Sequence, residues 1–88
     1  MKVIFSGDAW EDYLAWQAQA PDVAGRINEL LQSVRRTPFS GIGKPEPLKG
    51  MLSGFWSRRI AQEHRLVYRV AGTGADQRVE IASCRRHY

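Results

Sequence analysis

The chain has 88 residues, of which 43% are hydrophobic and 25% are charged. This length accommodates one domain, residues 1–88, and the composition is typical of a folded water-soluble protein. The apolar runs are too short to cross a bilayer, and the N-terminal segment turns polar after Phe5, before a signal peptide could form. The single cysteine, Cys84, excludes an internal disulfide framework and fits a small buried residue in a reducing cytoplasm.

The net charge of +4 is distributed unevenly along the chain. Residues 1–34 contain two basic and five acidic side chains, whereas residues 35–88 contain eleven basic and four acidic ones. The second part therefore attracts polyanions, although an acidic protein would be as good an electrostatic partner as a nucleic acid.

The first half of the chain predicts a strand followed by two helices. Residues 2–6 are β-branched and aromatic and predict a strand. Asp8 followed by Glu11 is the pattern of an N-cap with an acid at N3, and Pro21 either ends the first helix or starts the second. The predicted packed face of the first helix consists of Trp10, Tyr13, Leu14 and Gln17. The second helix carries a single apolar stripe, Val23, Ile27, Leu30, Leu31 and Val34.

The second half predicts a long loop and three strands. Residues 37–54 contain four glycines and three prolines and form the loop, with a short strand near Leu48. The strands are predicted at Phe55–Ala61, Arg65–Ala71 and Arg78–Cys84, separated by a turn at 62–64 and a hairpin loop at 72–77. The predicted class is α+β, in the order β-α-α-β-β-β, with a helical hairpin packed on a mostly antiparallel sheet.

Alternation in the strands predicts arginines on the sheet face away from the helices. If Leu66 and Tyr68 face the helices, Arg65 and Arg69 project from the other face. The preceding strand adds an arginine to that face in either phase, because Arg58 and Arg59 are adjacent. Such a face can bind phosphates, although a solvated polar sheet face is a common structural feature without that function.

Two further segments carry groups suited to RNA cleavage. Glu46 lies between two prolines, with Lys44 and Lys49 nearby, and the chain ends in Arg85-Arg86-His87-Tyr88. Attack by a 2′-hydroxyl needs a base, cations around the phosphate and an acid for the departing oxygen. Glu46, the arginines and His87 supply these without a metal or another cofactor. Each segment alone is more typical of a surface loop or a frayed tail.

Several longer motifs resemble YoeB toxins, a branch of the RelE/ParE superfamily of type II toxin–antitoxin systems. They are INEL at 27–30, RRTPF at 35–39, GKPEPLK at 43–49, LSGFWSRRI at 52–60, EHRLVY at 63–68, and the terminal Cys84-Arg85 with His87-Tyr88. The resemblance implies a RelE/ParE-like (microbial RNase-like) fold and a ribosome-dependent endonuclease that cleaves mRNA in the ribosomal A site and inhibits translation. It also implies a cognate YefM-like antitoxin, and a homodimer is possible.

The resemblance also implies roles for individual residues. Glu46 would be the general base, Arg65 would stabilise the transition-state phosphate, and His87 would be the general acid. The implied substrate-binding residues are Lys44, Lys49, Arg59 and Tyr88. Ile42 and Arg86 depart from the family pattern, which has a lysine and an aromatic residue there.

Three alternatives remain open from the sequence. They are a ParE-like toxin that binds a protein target such as gyrase, a degenerate toxin that occupies the ribosome without cleaving, and a plain RNA-binding module. Trp10, Trp16 and Trp56 are interpreted as packing residues, and His64 as a structural residue in a strand turn.

Overall fold

The computed structural model describes residues 1–86, and His87 and Tyr88 lie outside the described residues. It contains two helices and five strands: β1 (Lys2–Phe5), α1 (Gly7–Gln19), α2 (Pro21–Arg36), β2 (Glu46–Pro47), β3 (Trp56–Ala61), β4 (His64–Ala71) and β5 (Arg78–Ser83). The predicted order is confirmed, with the short strand expected near Leu48 found as β2. His64 belongs to β4, so the predicted three-residue turn contains only Gln62 and Glu63.

All five strands form one mixed sheet in the order β1-β5-β4-β3-β2. Neighbouring strands are antiparallel except β1, which pairs in parallel with β5. Helix α1 packs over β5 and helix α2 over β3, so both helices cover the same face of the sheet. The α+β class with a helical hairpin on a mostly antiparallel sheet is therefore confirmed. No helix within residues 1–86 is long and apolar enough to cross a bilayer.

The core lies between the two helices and the sheet. Ile27, Leu30 and Val34 of α2 are fully buried, and the rest of the predicted stripe packs against them in partly buried positions. Leu66 and Tyr68 of β4 are also fully buried. The helical spacing of α2 and the alternation of β4 therefore identify these core residues correctly. Val67, which alternation puts on the other face, is buried as well.

The predicted start of α1 is wrong. Ser6, not Asp8, is the N-cap, because its hydroxyl accepts a hydrogen bond from the Ala9 amide at 3.0 Å. Of the predicted packed face of α1, Tyr13 packs against the core, whereas Trp10, Leu14 and Gln17 are exposed. The buried positions are Ala9 and Trp16, whereas Trp10 and Leu14 keep 46% and 42% of their surface exposed. The buried face holds both the small Ala9 and the large Trp16, so side-chain size alone does not identify it. Trp10 therefore packs only partly, against Phe5 and Tyr13.

Candidate active site

The sheet face opposite the helices, called the open face below, carries most of the predicted site residues. Leu66 and Tyr68 turn into the core, so alternation puts Arg65, Val67 and Arg69 of β4 on the open face. The register then assigns their cross-strand partners to the same face: Ser57 and Arg59 of β3, Glu46 of β2, and Arg78 and Glu80 of β5. The prediction that Arg65 and Arg69 project from this face is therefore confirmed.

Glu46 lies on the open face one strand away from Arg59 and two strands away from Arg65. Glu46 is opposite Ser57, and Arg59, two residues further along β3, is opposite Arg65. Strands lie about 4.8 Å apart and rise about 3.3 Å per residue. The Cα atom of Glu46 is thus about 8 Å from that of Arg59 and about 12 Å from that of Arg65. The long Glu and Arg side chains can converge across this spacing on one phosphodiester.

Arg59 and Arg65 carry positive charge that no described acid neutralises. Their side chains are cross-strand neighbours, where like charges repel. Neither has an ion pair within residues 1–86. An anion that binds between them would relieve this repulsion and gain two charge-assisted hydrogen bonds.

The other two arginines of the open face are already paired. The Glu80 carboxylate accepts hydrogen bonds from Arg69 Nε at 2.6 Å and from Arg78 Nε at 3.0 Å. These two hydrogen bonds, the one from Arg69 first, lower the pKa of the Glu80 carboxyl. The Arg69 guanidinium also lies over the Phe55 ring, 5.2 Å from its centroid. Of the four arginines on the open face, Arg59 and Arg65 are therefore the two without an ion pair within residues 1–86.

The adjacent Arg58 has the opposite environment and is fully buried. Its Nε donates to the Tyr68 hydroxyl at 3.1 Å, and Nη1 donates to Ser33 Oγ at 2.7 Å. Burial raises the pKa of Tyr68, and the hydrogen bond from Arg58 partly offsets that rise. The remaining hydrogen bonds go to backbone carbonyls of the loop, namely Thr37, Ser40 and Ile42.

This buried guanidinium organises the loop that leads to Glu46. Three of its acceptors belong to residues 37–42, and Tyr68 Oη donates to the Pro38 carbonyl at 2.6 Å. The cation also lies at the C-terminal end of α2, where the helix dipole is negative, and this stabilises it without a carboxylate. The prediction that one arginine of β3 lies on the open face is confirmed, and that residue is Arg59. The structural role of Arg58 was not predicted.

The loop reaches β2 through two residues with a left-handed backbone. Gly43 has φ +83° and Lys44 has φ +53°. The Gly43 carbonyl accepts a hydrogen bond from the Arg59 amide at 2.7 Å, which fixes the exposed Lys44 beside the end of β3 that holds Arg59. The Lys44 and Glu46 positions are therefore both tied to β3. Lys49 lies further along, exposed, at the start of a short 3-10 turn.

The C-terminal segment lies next to Arg65, at the end of the sheet that also holds Arg59. The Arg65 amide donates to the Arg86 carbonyl at 3.0 Å, and the Arg86 amide donates to His64 Nδ1 at 2.8 Å. The structure thus brings the backbone just before His87 next to Arg65. His87 and Tyr88 themselves, predicted as acid and substrate-binding residue, lie outside the described residues.

The two departures from the family pattern have different environments. The Ile42 side chain is 45% exposed, and its carbonyl accepts from Arg58 Nη1 at 3.1 Å. Ile42 therefore stabilises the loop through its backbone carbonyl, and a different side chain at this position would leave that hydrogen bond in place. Arg86 adopts φ +63° and is held by the two backbone hydrogen bonds described above. His64 was expected to be structural; its bond to the Arg86 amide gives it a contact with the C-terminal segment that local pattern could not reveal.

Comparison with known proteins identifies close relatives over the full length. Residues 5–88 match the model of the YoeB-like toxin of bacterial type II toxin-antitoxin systems. Toxin YoeB of Escherichia coli (strain K12) is 57% identical over 88 residues, which is all of both chains. A solved YoeB/ParE toxin from Agrobacterium tumefaciens is 51% identical, with a TM-score of 0.96 and complete coverage of both chains.

Staphylococcus aureus YoeB, 47% identical, has been solved both as a dimer and as a heterotetrameric complex with YefM. The TM-scores are 0.86 and 0.87, with 100% of this chain and 98% of that chain covered. Since the family model and these relatives extend over essentially the whole sequence, the chain belongs to the YoeB-like toxins of bacterial type II toxin–antitoxin systems.

Proposed function

We propose that the chain is a ribosome-dependent mRNA endonuclease that arrests translation by cutting mRNA in the ribosomal A site. The observation that supports the proposal is that Glu46 shares the open face with Arg59 and Arg65, the two arginines of that face without an ion pair within residues 1–86. A carboxylate beside two free guanidinium groups is suited to proton abstraction next to a bound phosphate.

The proposed reaction uses the RNA's own 2′-hydroxyl as nucleophile. Glu46 takes the 2′ proton, the 2′ oxygen bonds to phosphorus, and the bond from phosphorus to the 5′ oxygen breaks. Arg65 stabilises the charge on the pentavalent phosphate, and His87 gives a proton to the departing 5′ oxygen. The products are a 2′,3′-cyclic phosphate, which can open to a 3′-phosphate, and a 5′-hydroxyl fragment. The proposed substrate-binding residues are Lys44, Lys49, Arg59 and Tyr88.

The exposure of the site supports dependence on the ribosome. Glu46 and Arg59 are exposed, so solvent reaches them on the open face. Such a surface attracts phosphates but orients a flexible single strand poorly, and orientation accounts for much of the rate in catalysis. mRNA fixed in the ribosomal A site would supply that orientation. The proposed protein partner is a YefM-like antitoxin, by analogy with the S. aureus complex, and the chain can also form a homodimer as its S. aureus relative does.

The test is to map cuts on mRNA in a translating extract, and on the same naked mRNA without ribosomes. We expect cuts only with ribosomes, with 5′-hydroxyl ends. Glu46→Gln, Arg65→Ala and His87→Ala should each lower the rate by about 10²–10⁴-fold. Glu80→Gln and Arg69→Ala are matched controls, because they alter the same residue types on the same face, but in the neutralised pair.

Two results would contradict the proposal. If the three site variants cut at the wild-type rate, the assigned roles are wrong. If the wild-type chain cuts no mRNA but inhibits gyrase supercoiling, the chain is a ParE-like toxin. A plain RNA-binding module would lose affinity in proportion to removed positive charge and would tolerate Glu46→Gln.

A further inference from the structure

His64 is joined to the C-terminal segment by a side-chain hydrogen bond. Its Nδ1 atom accepts from the Arg86 amide at 2.8 Å, so the ring proton of the neutral imidazole resides on Nε2. The Arg86 carbonyl accepts from the Arg65 amide at 3.0 Å. Both polar groups of the Arg86 backbone are therefore held by the first two residues of β4.

The His64 ring is itself oriented by the buried Trp16 of α1. The ring centroids are 4.7 Å apart at an interplanar angle of 79°, an edge-to-face contact. Trp16 Nε1 donates to the Cys84 carbonyl at 2.8 Å, and the Arg85 guanidinium lies 5.2 Å from the Trp16 ring centroid. Residues 84–86 are thus attached to the folded domain at consecutive positions, and His64 makes the last side-chain attachment among the described residues.

We propose that His64 is a positioning residue for the proposed general acid His87: through Nδ1 it fixes the backbone of Arg86, the residue that precedes His87. This inference rests on the proposed role of His87 as general acid. Consecutive Cα atoms are about 3.8 Å apart, so fixing Arg86 restricts the region that the His87 imidazole can reach. Without the Nδ1 acceptor, Arg86 itself keeps one of its two backbone hydrogen bonds, the one that its carbonyl accepts from the Arg65 amide.

Two substitutions separate the acceptor from the ring. His64→Asn keeps an oxygen near the position of Nδ1 but removes the ring, whereas His64→Phe keeps the ring against Trp16 but removes the acceptor. Because a misplacement of about 1 Å can cost about 10²-fold in rate, we expect His64→Phe to lower the maximal rate of single-turnover cleavage by about 10–100-fold. The ribosome concentration at half-maximal rate should not change. His64→Asn should restore most of the rate.

A double-mutant cycle with His87→Ala tests whether His64 acts through His87. We expect the double variant His64→Phe/His87→Ala to be no slower than His87→Ala alone, since the misplaced group is already absent. Hydrogen exchange at the Arg86 amide gives a readout independent of activity. It should be fast in His64→Phe and slow in the wild type and in His64→Asn. If His64→Phe does not fold, His64→Gln replaces it, because the longer side chain carries its oxygen beyond the Nδ1 position.

The outcomes distinguish the inference from the proposed function. If His87→Ala is slow but His64→Phe cleaves at the wild-type rate, the inference is overturned and the proposed function stands. Additive losses in the double variant, or an Arg86 amide that exchanges rapidly in the wild type, also overturn the inference. If His87→Ala cleaves at the wild-type rate, the assignment of the general acid fails, and the inference fails with it.

Discussion

Replacing Arg58 with methionine should unfold the chain at a much lower temperature. Methionine is unbranched and fills similar space, but it removes all five hydrogen bonds donated by the buried guanidinium. The acceptors on Thr37 and Ser40 belong to exposed residues and can turn to water. The Tyr68 and Ser33 hydroxyls lie deeper and lose a charged donor.

Two such losses, at about 1.5 kcal/mol each, give a destabilisation of about 3 kcal/mol. This value already includes the free energy that is regained because the variant buries no charged group. For a domain of this size, 1 kcal/mol corresponds to roughly 4–8 °C in Tm. We therefore expect a drop of about 12–24 °C in a thermal melt followed by circular dichroism. Arg58→Lys should fall in between, because lysine keeps the charge but has three donors on one atom.

Arg59→Met is the matched control, since it makes the same substitution at the next residue, on the open face. Arg59 is exposed and faces Arg65, so its replacement should change the free energy of unfolding by less than about 0.5 kcal/mol. If Arg58→Met melts within about 3 °C of the wild type, the buried guanidinium does not hold the 37–42 loop in the way described.

Two further predictions concern groups outside the open face. Burial, and secondarily the nearby Asp12 carboxylate, raise the pKa of the Cys84 thiol from 9.0 to about 12. The folded chain should therefore resist a thiol reagent at pH 8. The free energy of unfolding should fall as the pH rises above about 9, where the unfolded thiol ionises, and urea midpoints at pH 7.5 and 10 should differ less in Cys84→Ala. Gly43→Ala should cost about 1–3 kcal/mol, measured by urea unfolding, because φ is +83° and the added Cβ would lie 2.7 Å from Leu30 Cδ2. Gly7→Ala, with nothing within 4 Å, should be tolerated, and equal losses in both would contradict the strain assigned to Gly43.

Local sequence pattern predicted most of the fold because the elements are locally consistent. The apolar stripe of α2 and the alternation of β4 each predict one packed face, and the buried side chains of Ile27, Leu30, Val34, Leu66 and Tyr68 agree with that prediction. In α1 the choice between Trp10 and Ala9 as the packed residue depends on how closely the helix approaches the sheet. That distance depends on tertiary packing and cannot be inferred from helical spacing.

The two adjacent arginines of β3 can be separated by strand phase. Arg58 shares its phase with Trp56 and Ile60, whose large apolar side chains indicate the core side, whereas Arg59 has the opposite phase. The acceptors of Arg58, by contrast, are backbone carbonyls, which every residue has and no motif marks. The contact between His64 and Arg86 is also invisible locally, because it joins positions 22 residues apart.

The parallel pairing of β1 with β5 has a consequence for when the sheet can be completed. Within residues 1–86, the partner strand of residues 2–5 is β5 alone, and β5 is synthesised more than 70 residues later. A nascent chain whose residues 78–83 are still inside the ribosomal exit tunnel cannot complete the sheet. Contacts this distant in sequence also close slowly. The sheet that carries the candidate site is therefore completed only after the last strand has been synthesised and has emerged from the tunnel.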